Sequence, residues 1–466
     1  MQIQFHGAAR TVTGSKHIIT THSGKKILLD CGFFQGRGKD NDEMNRHFGF
    51  NPADIHVMLL SHAHIDHTGN IPNLVKQGFK GTIYCTAATK ELCEIMLLDS
   101  AHIQESDVKY LNKRREKQGR DLLKPLYEIA DVDDAIDLMK PVAVGKEIVI
   151  DDEISFHFTD AGHILGSVSV HLNVKDNSGL KKVTFSGDIG RYNDLILKSP
   201  QEFRQADYII CESTYGNRLH DDTGNARQKL LDVVMKTCVE KRGKLIIPAF
   251  SLGRTQEIVY TLDRFKTEGK LPAINVYVDS PLAVDATMIM RKHREFFNNE
   301  IIDYMKTDPD PFGFSNLQYV RKAEDSKKLN DNKNPCIIIS ASGMIDAGRI
   351  KHHVKNNVGD NKNTILLVGY CSPNSIGGRL MNRDKTVRIF GEEYEVKADV
   401  EVISSFSAHA DYKEMIDYLK CQNPGLVKKL FLVHGEYEVQ LEFKNTLSKV
   451  GFGNIEIPDQ GQSFEV

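Results

Sequence analysis

The stretch Ser61-His62-Ala63-His64-Ile65-Asp66-His67-Thr68-Gly69 constrains this chain more than any other. Three imidazoles and a carboxylate fall within six positions, directly after the apolar run Val57-Met58-Leu59-Leu60. That run reads as a buried strand, and Gly69 and Pro72 mark a loop leading into a short helix. Neutral imidazole and carboxylate are the ligands of zinc-like divalent ions. At such close spacing, four side chains cannot all reach one ion without strain. Alternate residues can share one ion while the next carboxylate and imidazole turn toward a second, about 3.5–4 Å away. The plain alternative is a polar loop with solvated histidines. His-x-His-x-Asp-His is too specific a pattern for that, so the stretch predicts part of a two-metal site.

A length of 466 residues suggests roughly two to four domains. Hydrophobic content of 40% and charged content of 26% are those of a soluble globular protein. The net charge of −3 gives no global argument for nucleic acid, so any such partner must be held by local patches. No apolar run approaches the roughly 18 residues of a membrane helix. Met1–Phe5 alternates like a strand and lacks a secretory leader's charged start and apolar core. The eight cysteines form no Cys-x-x-Cys pair, and Cys85, Cys211 and Cys336 lie in apolar runs. They read as reduced core residues of a cytoplasmic protein.

The first sixty residues look all-β, with short runs at Ile3–Phe5, His17–Thr20 and Ile27–Asp30. Asp30 ends a strand, where it either caps a turn or supports a metal ligand from behind. Thr82–Cys85 is a further strand, and a long charged helix is expected from Ala88 to about Lys117. Its basic run Asn112-Lys113-Arg114-Arg115-Glu116-Lys117 is either a solvated face or a nucleic-acid contact. Asp131–Met139 reads as another helix. Strands resume at Ile148–Ile150, Ile154–Thr159, Ser167–Val174 and Lys182–Phe185, and two of these lead into His163 and Asp188.

From Ala206 the character changes. The apolar runs Ala206–Cys211, Lys244–Ala249, Ala273–Val278, Cys336–Ser340 and Thr364–Val368 are mostly separated by helical patterns such as Asn225–Val239 and Thr255–Phe265. That alternation predicts a parallel sheet. The strand-to-helix turns with Ser251 and Arg254, and with Ser342 and Arg349, are either ordinary connections or phosphate sites at helix N-termini. The last seventy residues return to the first style, with Asp399–Ser404 running toward His409 and Leu430–Val433 running into His434. They are expected to complete the first domain, with the α/β unit inserted.

Seven stretches occur together, in order: Leu29-Asp30-Cys31-Gly32, His62–His67, Gly162-His163, Ser186-Gly187-Asp188, Cys211-Glu212-Ser213-Thr214-Tyr215-Gly216, Ser405-Phe406-Ser407-Ala408-His409 and Leu432-Val433-His434-Gly435-Glu436. The chain resembles the metallo-β-lactamase-fold hydrolases of the β-CASP family, RNA- and DNA-processing nucleases that include RNase J and the endonuclease subunit of the cleavage and polyadenylation factor. The resemblance covers nearly the whole chain. It implies an α/β fold, a metallo-β-lactamase αββα sandwich with an inserted Rossmann-like β-CASP domain. The expected division is 1–216, 217–397 for the insertion, and 398–466.

The resemblance further implies that His62, His64 and His163 hold one zinc and Asp66, His67 and His434 the other, with Asp188 bridging. Mn2+ or Fe2+ are substitutes that the same ligands accept. It implies that Asp30 supports the metal-site loop, and that Glu212 orients His409 to protonate the departing oxygen after water activated by the metals attacks in line. Asp66 counts with Glu212 and His409 as catalytic. The insertion would close as a lid over single-stranded RNA, with Ser251, Arg254, Ser342, Arg349, Ser375 and Arg379 on the phosphates and Lys322 and Lys351 nearby.

Gly369-Tyr370-Cys371-Ser372-Pro373-Asn374-Ser375-Ile376-Gly377-Gly378-Arg379 departs from the family's late phosphate loop at Pro373-Asn374-Ser375. The chain ends about thirty residues after His434, which favours a compact endoribonuclease, monomeric or homodimeric, over a processive exonuclease. The competing functions are a lactamase- or thioesterase-type hydrolase of small molecules, a DNA-directed nuclease, and a scaffold without activity.

Overall fold

Ile3 and Phe5, Ile27 and Leu29, and Val57 and Leu59 repeat at every second residue, so each of these strands turns one apolar face inward. Phe156 and Phe158, Val168 and Val170, and Val183 and Phe185 repeat in the same way further along. In the computed structural model these two sets meet as the inner faces of two seven-stranded sheets. The structure describes residues 1–36, 39–176, 179–220, 223–369, 371–403 and 408–466. Ser404, the Ser405-Phe406-Ser407 part of the motif before His409, and Tyr370 lie outside the described residues.

The chain forms two units, Met1–Leu219 with His409–Val466, and His220–Ala408. In the first unit, one sheet runs in the order Ser463–Glu465, Gln2–Gly7, Lys16–Thr20, Lys26–Leu29, Ile55–Leu59, Thr82–Cys85, Met139–Pro141. The other runs Ile455–Glu456, Lys429–Val433, Tyr208–Glu212, Gly179–Phe185, Val168–Asp176, Ile154–Asp160, Ile148–Val149. The outer face of the second sheet, through Ile209, Cys211, Leu430 and Leu432, is covered by Met415, Tyr418 and Leu419 of helix Tyr412–Leu419 and by Phe443 and Leu447 of helix Tyr437–Lys449. This is the αββα sandwich. All eight cysteines are free thiols.

The second unit is built on a six-stranded sheet in the order Leu317–Tyr319, Asn275–Val278, Cys336–Ser340, Lys244–Pro248, Thr364–Leu367, Asp399–Val402, parallel throughout. Asp399–Val402 was expected in the closing segment of the first domain. It instead pairs with Thr364–Leu367 from Thr364↔Asp399 to Leu367↔Val402, and Val400 is buried in this unit's core. The second unit therefore ends at Ala408 rather than near Lys397. The helix expected at Asp131–Met139 spans Ile129–Asp137, and Met139–Pro141 is an edge strand.

Helix Arg254–Thr267 carries a fully buried carboxyl, Asp263. Its Oδ2 accepts the Tyr304 hydroxyl at 2.7 Å, and Oδ1 has no hydrogen-bond partner among the described residues. Burial raises its pKa to about 7, so the folded protein keeps a proton that the unfolded chain releases near pH 4. The associated stability is fully present below about pH 4 and is lost as pH rises through 7. Asp263→Asn, a neutral isostere, should therefore stabilise the protein by about 1–3 kcal/mol at pH 8 and leave it unchanged at pH 4. Thermal melts at the two pH values measure this, and equal melts for both proteins at pH 8 would contradict it.

Candidate metal centre

The ligands sit where strands of the sandwich end. Ile55–Leu59 leads into His62–His67, Ile154–Asp160 into His163, Gly179–Phe185 into Asp188, Tyr208–Glu212 ends on Glu212, and Lys429–Val433 leads into His434. Loop Asp30–Phe33 runs against the histidine loop, with Cys31 N–H donating to His67 O at 2.8 Å and Phe33 N–H to Ile65 O at 3.0 Å. Only glycine fits at position 32, where a Cβ would lie 1.5 Å from Asp66 O. Asp30 and His434 both have positive φ, 56° and 53°. Left-handed backbone at non-glycine residues costs roughly 1–3 kcal/mol and persists where surrounding bonds enforce it. His434 N–H donates to Ala8 O at 2.7 Å, which is one such bond.

Seven side chains converge. His62, His64, His163 and Asp188 form one group, and Asp66, His67 and His434 another. Asp188 divides its oxygens between them. Its Oδ2 is 3.5 Å from both His62 Nε2 and His163 Nε2, and its Oδ1 is 3.3 Å from His67 Nε2 and 3.7 Å from His434 Nε2. His64 Nδ1 lies 3.1 Å from His163 Nε2, and Asp66 Oδ2 3.5 Å from His434 Nε2. Ligand atoms about 2.0–2.1 Å from a tetrahedral ion stand roughly 3.3 Å apart, which is the spacing seen in both groups.

The hydrogen bonds behind the rings fix which nitrogens face inward. His67 Nδ1 pairs with Asp30 Oδ2 at 2.7 Å. Ser61 Oγ donates to the same carboxylate at 2.7 Å and so accepts from His62 Nδ1 at 3.0 Å. Thr214 Oγ1 lies 2.6 Å from Glu212 Oε2 and 3.0 Å from His434 Nδ1. The short contact to a carboxylate is the stronger, so the hydroxyl donates there and accepts from His434. All three outer nitrogens carry the proton, and the inner Nε2 atoms of His62, His67 and His434 present lone pairs.

His67 Nε2 and His434 Nε2 are only 3.1 Å apart. Two lone pairs at that distance repel unless a cation, or a trapped proton, lies between them. His62 Nε2 and Asp188 Oδ1 are buried without a hydrogen-bond partner among the described residues. Burial and the neighbouring His67 hold His62 neutral, and burial lowers His64 to about pKa 4. Asp188 and Asp30 outweigh burial at His67 and favour positive charge beside its Nε2, which a divalent cation there would supply in place of a proton. Neutral His62 and His64, outer nitrogens that carry the ring protons, and a buried carboxylate oxygen without a hydrogen-bond partner among the described residues form a donor set that fits divalent metal.

Ser61 and Thr214 had no role assigned from the sequence. The available signal was their position, one hydroxyl directly before His62 and the other two residues after Glu212. Thr214→Val removes both bonds without changing shape. It is expected to weaken metal affinity about 10–100-fold, the usual effect of losing a bond that orients a ligand, while Thr214→Ser retains it. Competition with a fluorescent chelator reads this directly, and equal affinity for Val and Thr would remove the role.

Beside the ligands, His409 Nδ1 lies 3.2 and 3.3 Å from the two oxygens of Glu212 and 3.9 Å from Asp188 Oδ2. Burial disfavours charge on His409, but Glu212 and Asp188 outweigh it and raise its pKa to about 9. The loop carrying it is anchored by Ala410 N–H on Ile189 O at 2.8 Å and by Arg191 Nε on Glu414 at 2.7 Å. Glu212 is itself fixed by Ile189 N–H and the Thr214 hydroxyl.

Sequence comparison matches residues 16–233 to the metallo-beta-lactamase superfamily, 255–380 to the Beta-Casp domain, and 393–458 to the Zn-dependent metallo-hydrolase RNA specificity domain. A ribonuclease of Thermus thermophilus is 34% identical over 454 residues, 97% of each chain. The chain belongs to the β-CASP family of metallo-β-lactamase-fold hydrolases. An RNase J-like protein of Methanocaldococcus jannaschii is 31% identical over 96% of this chain and 95% of its own. Transcription termination factor FttA of Methanosarcina mazei is 29% identical over 95% of this chain and 68% of its own.

Most of the residues expected on phosphate in the β-CASP unit are engaged internally. The Arg349 guanidinium donates to Asp279 Oδ1 and to Arg321 O, both at 2.6 Å. Arg254 pairs with Glu257, and Ser251 Oγ lies 3.0 Å from Ser280 Oγ. Ser375 caps helix Ile376–Met381, accepting Gly378 N–H at 2.9 Å, so the Pro373-Asn374-Ser375 departure serves as a cap. Ser342 Oγ bonds within its own turn to Ala347, and Arg379 Nε is 3.1 Å from Asp384. Lys351 lies over the Phe390 ring at 4.8 Å, and Lys322 is exposed.

Proposed function

We propose that this chain is a zinc-dependent ribonuclease that cleaves single-stranded RNA at internal phosphodiester bonds. The observation that carries the proposal is the Glu212–His409 pair set against the metal ligands. Two divalent ions, when bound, supply an acidified water and neutralise charge on the phosphoryl oxygens. The chain's own residues do the rest. Asp188 links the two ligand groups, and Asp30, Ser61 and Thr214 keep the imidazole lone pairs aimed inward. His409 holds a proton at neutral pH and passes it to the departing 3′-oxygen, leaving a 3′-hydroxyl and a 5′-phosphate. Glu212 orients that ring and stabilises its charge.

The names of the relatives support RNA as the substrate, and hydrolysis of a lactam or thioester in this fold needs no such acid pair. Internal cleavage is favoured because Arg254, Arg349 and Ser375 have partners of their own, leaving few groups to clamp a free 5′-phosphate. The test is to incubate metal-quantified protein with end-labelled single-stranded RNA, matching DNA, circular RNA and a lactam, each with and without chelator. Chelator-sensitive cutting of linear and circular RNA is expected. Turnover of the lactam with intact nucleic acids would overturn the proposal.

A further inference from the structure

Helix Ala87–Lys117 is 31 residues long, about 46 Å at 1.5 Å per residue. Its first turn is tied to the loop that carries His163, since Thr86 and Thr89 hydroxyls donate to Gly166 O at 2.8 and 2.9 Å. Its buried residues end at Ala101. The rest projects from the sandwich, braced by a returning segment through Asn112 Nδ2 on Leu123 O at 2.9 Å and Arg115 Nε on Asp121 O at 2.6 Å. Residues 109–124 hold seven Lys or Arg against Glu116 and Asp121, a local charge of +5 on a chain whose net charge is −3.

At 100° per residue, Lys109, Tyr110, Lys113, Arg114 and Lys117 fall within an arc of roughly 140°. Asn112 and Arg115, which hold the returning segment, lie on the other side. All five arc residues are exposed, Tyr110 by 77%. None of the four cations in the arc has a carboxylate partner among the described residues. Some exposed lysines elsewhere are paired with a carboxylate three residues earlier, as in Lys306 with Asp303 and Lys328 with Asp325. Lys109, Lys113 and Lys117 recur every four residues, about 6 Å along the axis, a rise comparable with the separation of successive phosphates on an extended strand. An exposed phenol ring among unpaired cations is the combination that binds single strands, by stacking and phosphate neutralisation together.

We infer that this arm is a second binding surface for single-stranded RNA, engaging the strand several nucleotides from the scissile bond. The inference rests on the proposed ribonuclease function. Lys109 lies about 33 Å along the axis from the helix start, so short oligonucleotides reach only the metal centre.

The test compares the full-length protein with a variant carrying Lys113→Glu, Arg114→Glu and Lys117→Glu, using a 30-nucleotide and a 6-nucleotide RNA. Fluorescence anisotropy across a salt series should show affinity for the longer RNA falling about tenfold or more. Its salt slope should drop by about 2, at roughly 0.7 per phosphate contact on single strands. Cleavage of the 6-mer should be unchanged. The milder change of the same three residues to Ala should act in the same direction and guards against misfolding by charge reversal. Unchanged affinity and slope for the 30-mer would overturn the inference. Arm-dependent binding of RNA that is never cut would instead sink the nuclease function and leave the arm standing.

Discussion

Asp188→Asn is expected to leave no measurable RNA cleavage and to lower the metal content of both ligand groups. The reason lies in how one carboxylate is shared. Oδ2 faces His62 and His163, and Oδ1 faces His67 and His434, at 3.3–3.7 Å. The amide removes the charge that offsets two cations at a buried point. It also places N–H donors before imidazole lone pairs, so hydrogen bonds fill positions a cation should take. Asp66→Ala makes an informative contrast, because Asp66 stands only with His67 and His434. It should abolish cleavage while removing metal from one group alone. Elemental analysis beside an end-labelled RNA assay separates the two variants. Full metal retention in Asp188→Asn would show that the carboxylate does not bridge.

His409→Ala is the second large effect, of a different kind. Loss of a general acid typically costs about 10²–10⁴-fold, and here it should appear in kcat with KM and metal content nearly unchanged. His409 stands outside the two ligand groups that hold the seven residues, and its ring is held by Glu212. If the variant lost its metals, His409 would be a ligand and the division of roles would be wrong.

The sequence made the sandwich legible because strands such as Gln2–Gly7 and Ile154–Asp160 alternate and several strands end in a ligand. His62–His67 showed part of the centre, and the ordered motifs of the β-CASP family pointed to His163, Asp188 and His434. Asp399–Val402 was misplaced because a four-residue strand carries no mark of its partner. Only pairing with Thr364–Leu367 decides its unit. Ser61 and Thr214 went unassigned because a hydroxyl serves a turn, a cap or a ligand equally well until both its neighbours are known. Arg349 read as a phosphate ligand because its partner, Asp279, lies 70 positions earlier, beyond any local pattern. Charge runs are ambiguous in the same way. Lys109–Lys117 acquired meaning once Lys109, Lys113, Arg114 and Lys117 proved exposed and without a carboxylate partner among the described residues.

The central claim is that the seven converging side chains hold two ions that act together. Its most direct measurement is to strip the protein with chelator and titrate Zn2+ back, following bound metal and RNA cleavage in the same samples. The account predicts two ions bound per chain, with cleavage returning as the second is taken up. Full activity at one bound ion, or activity that survives stripping, would contradict it.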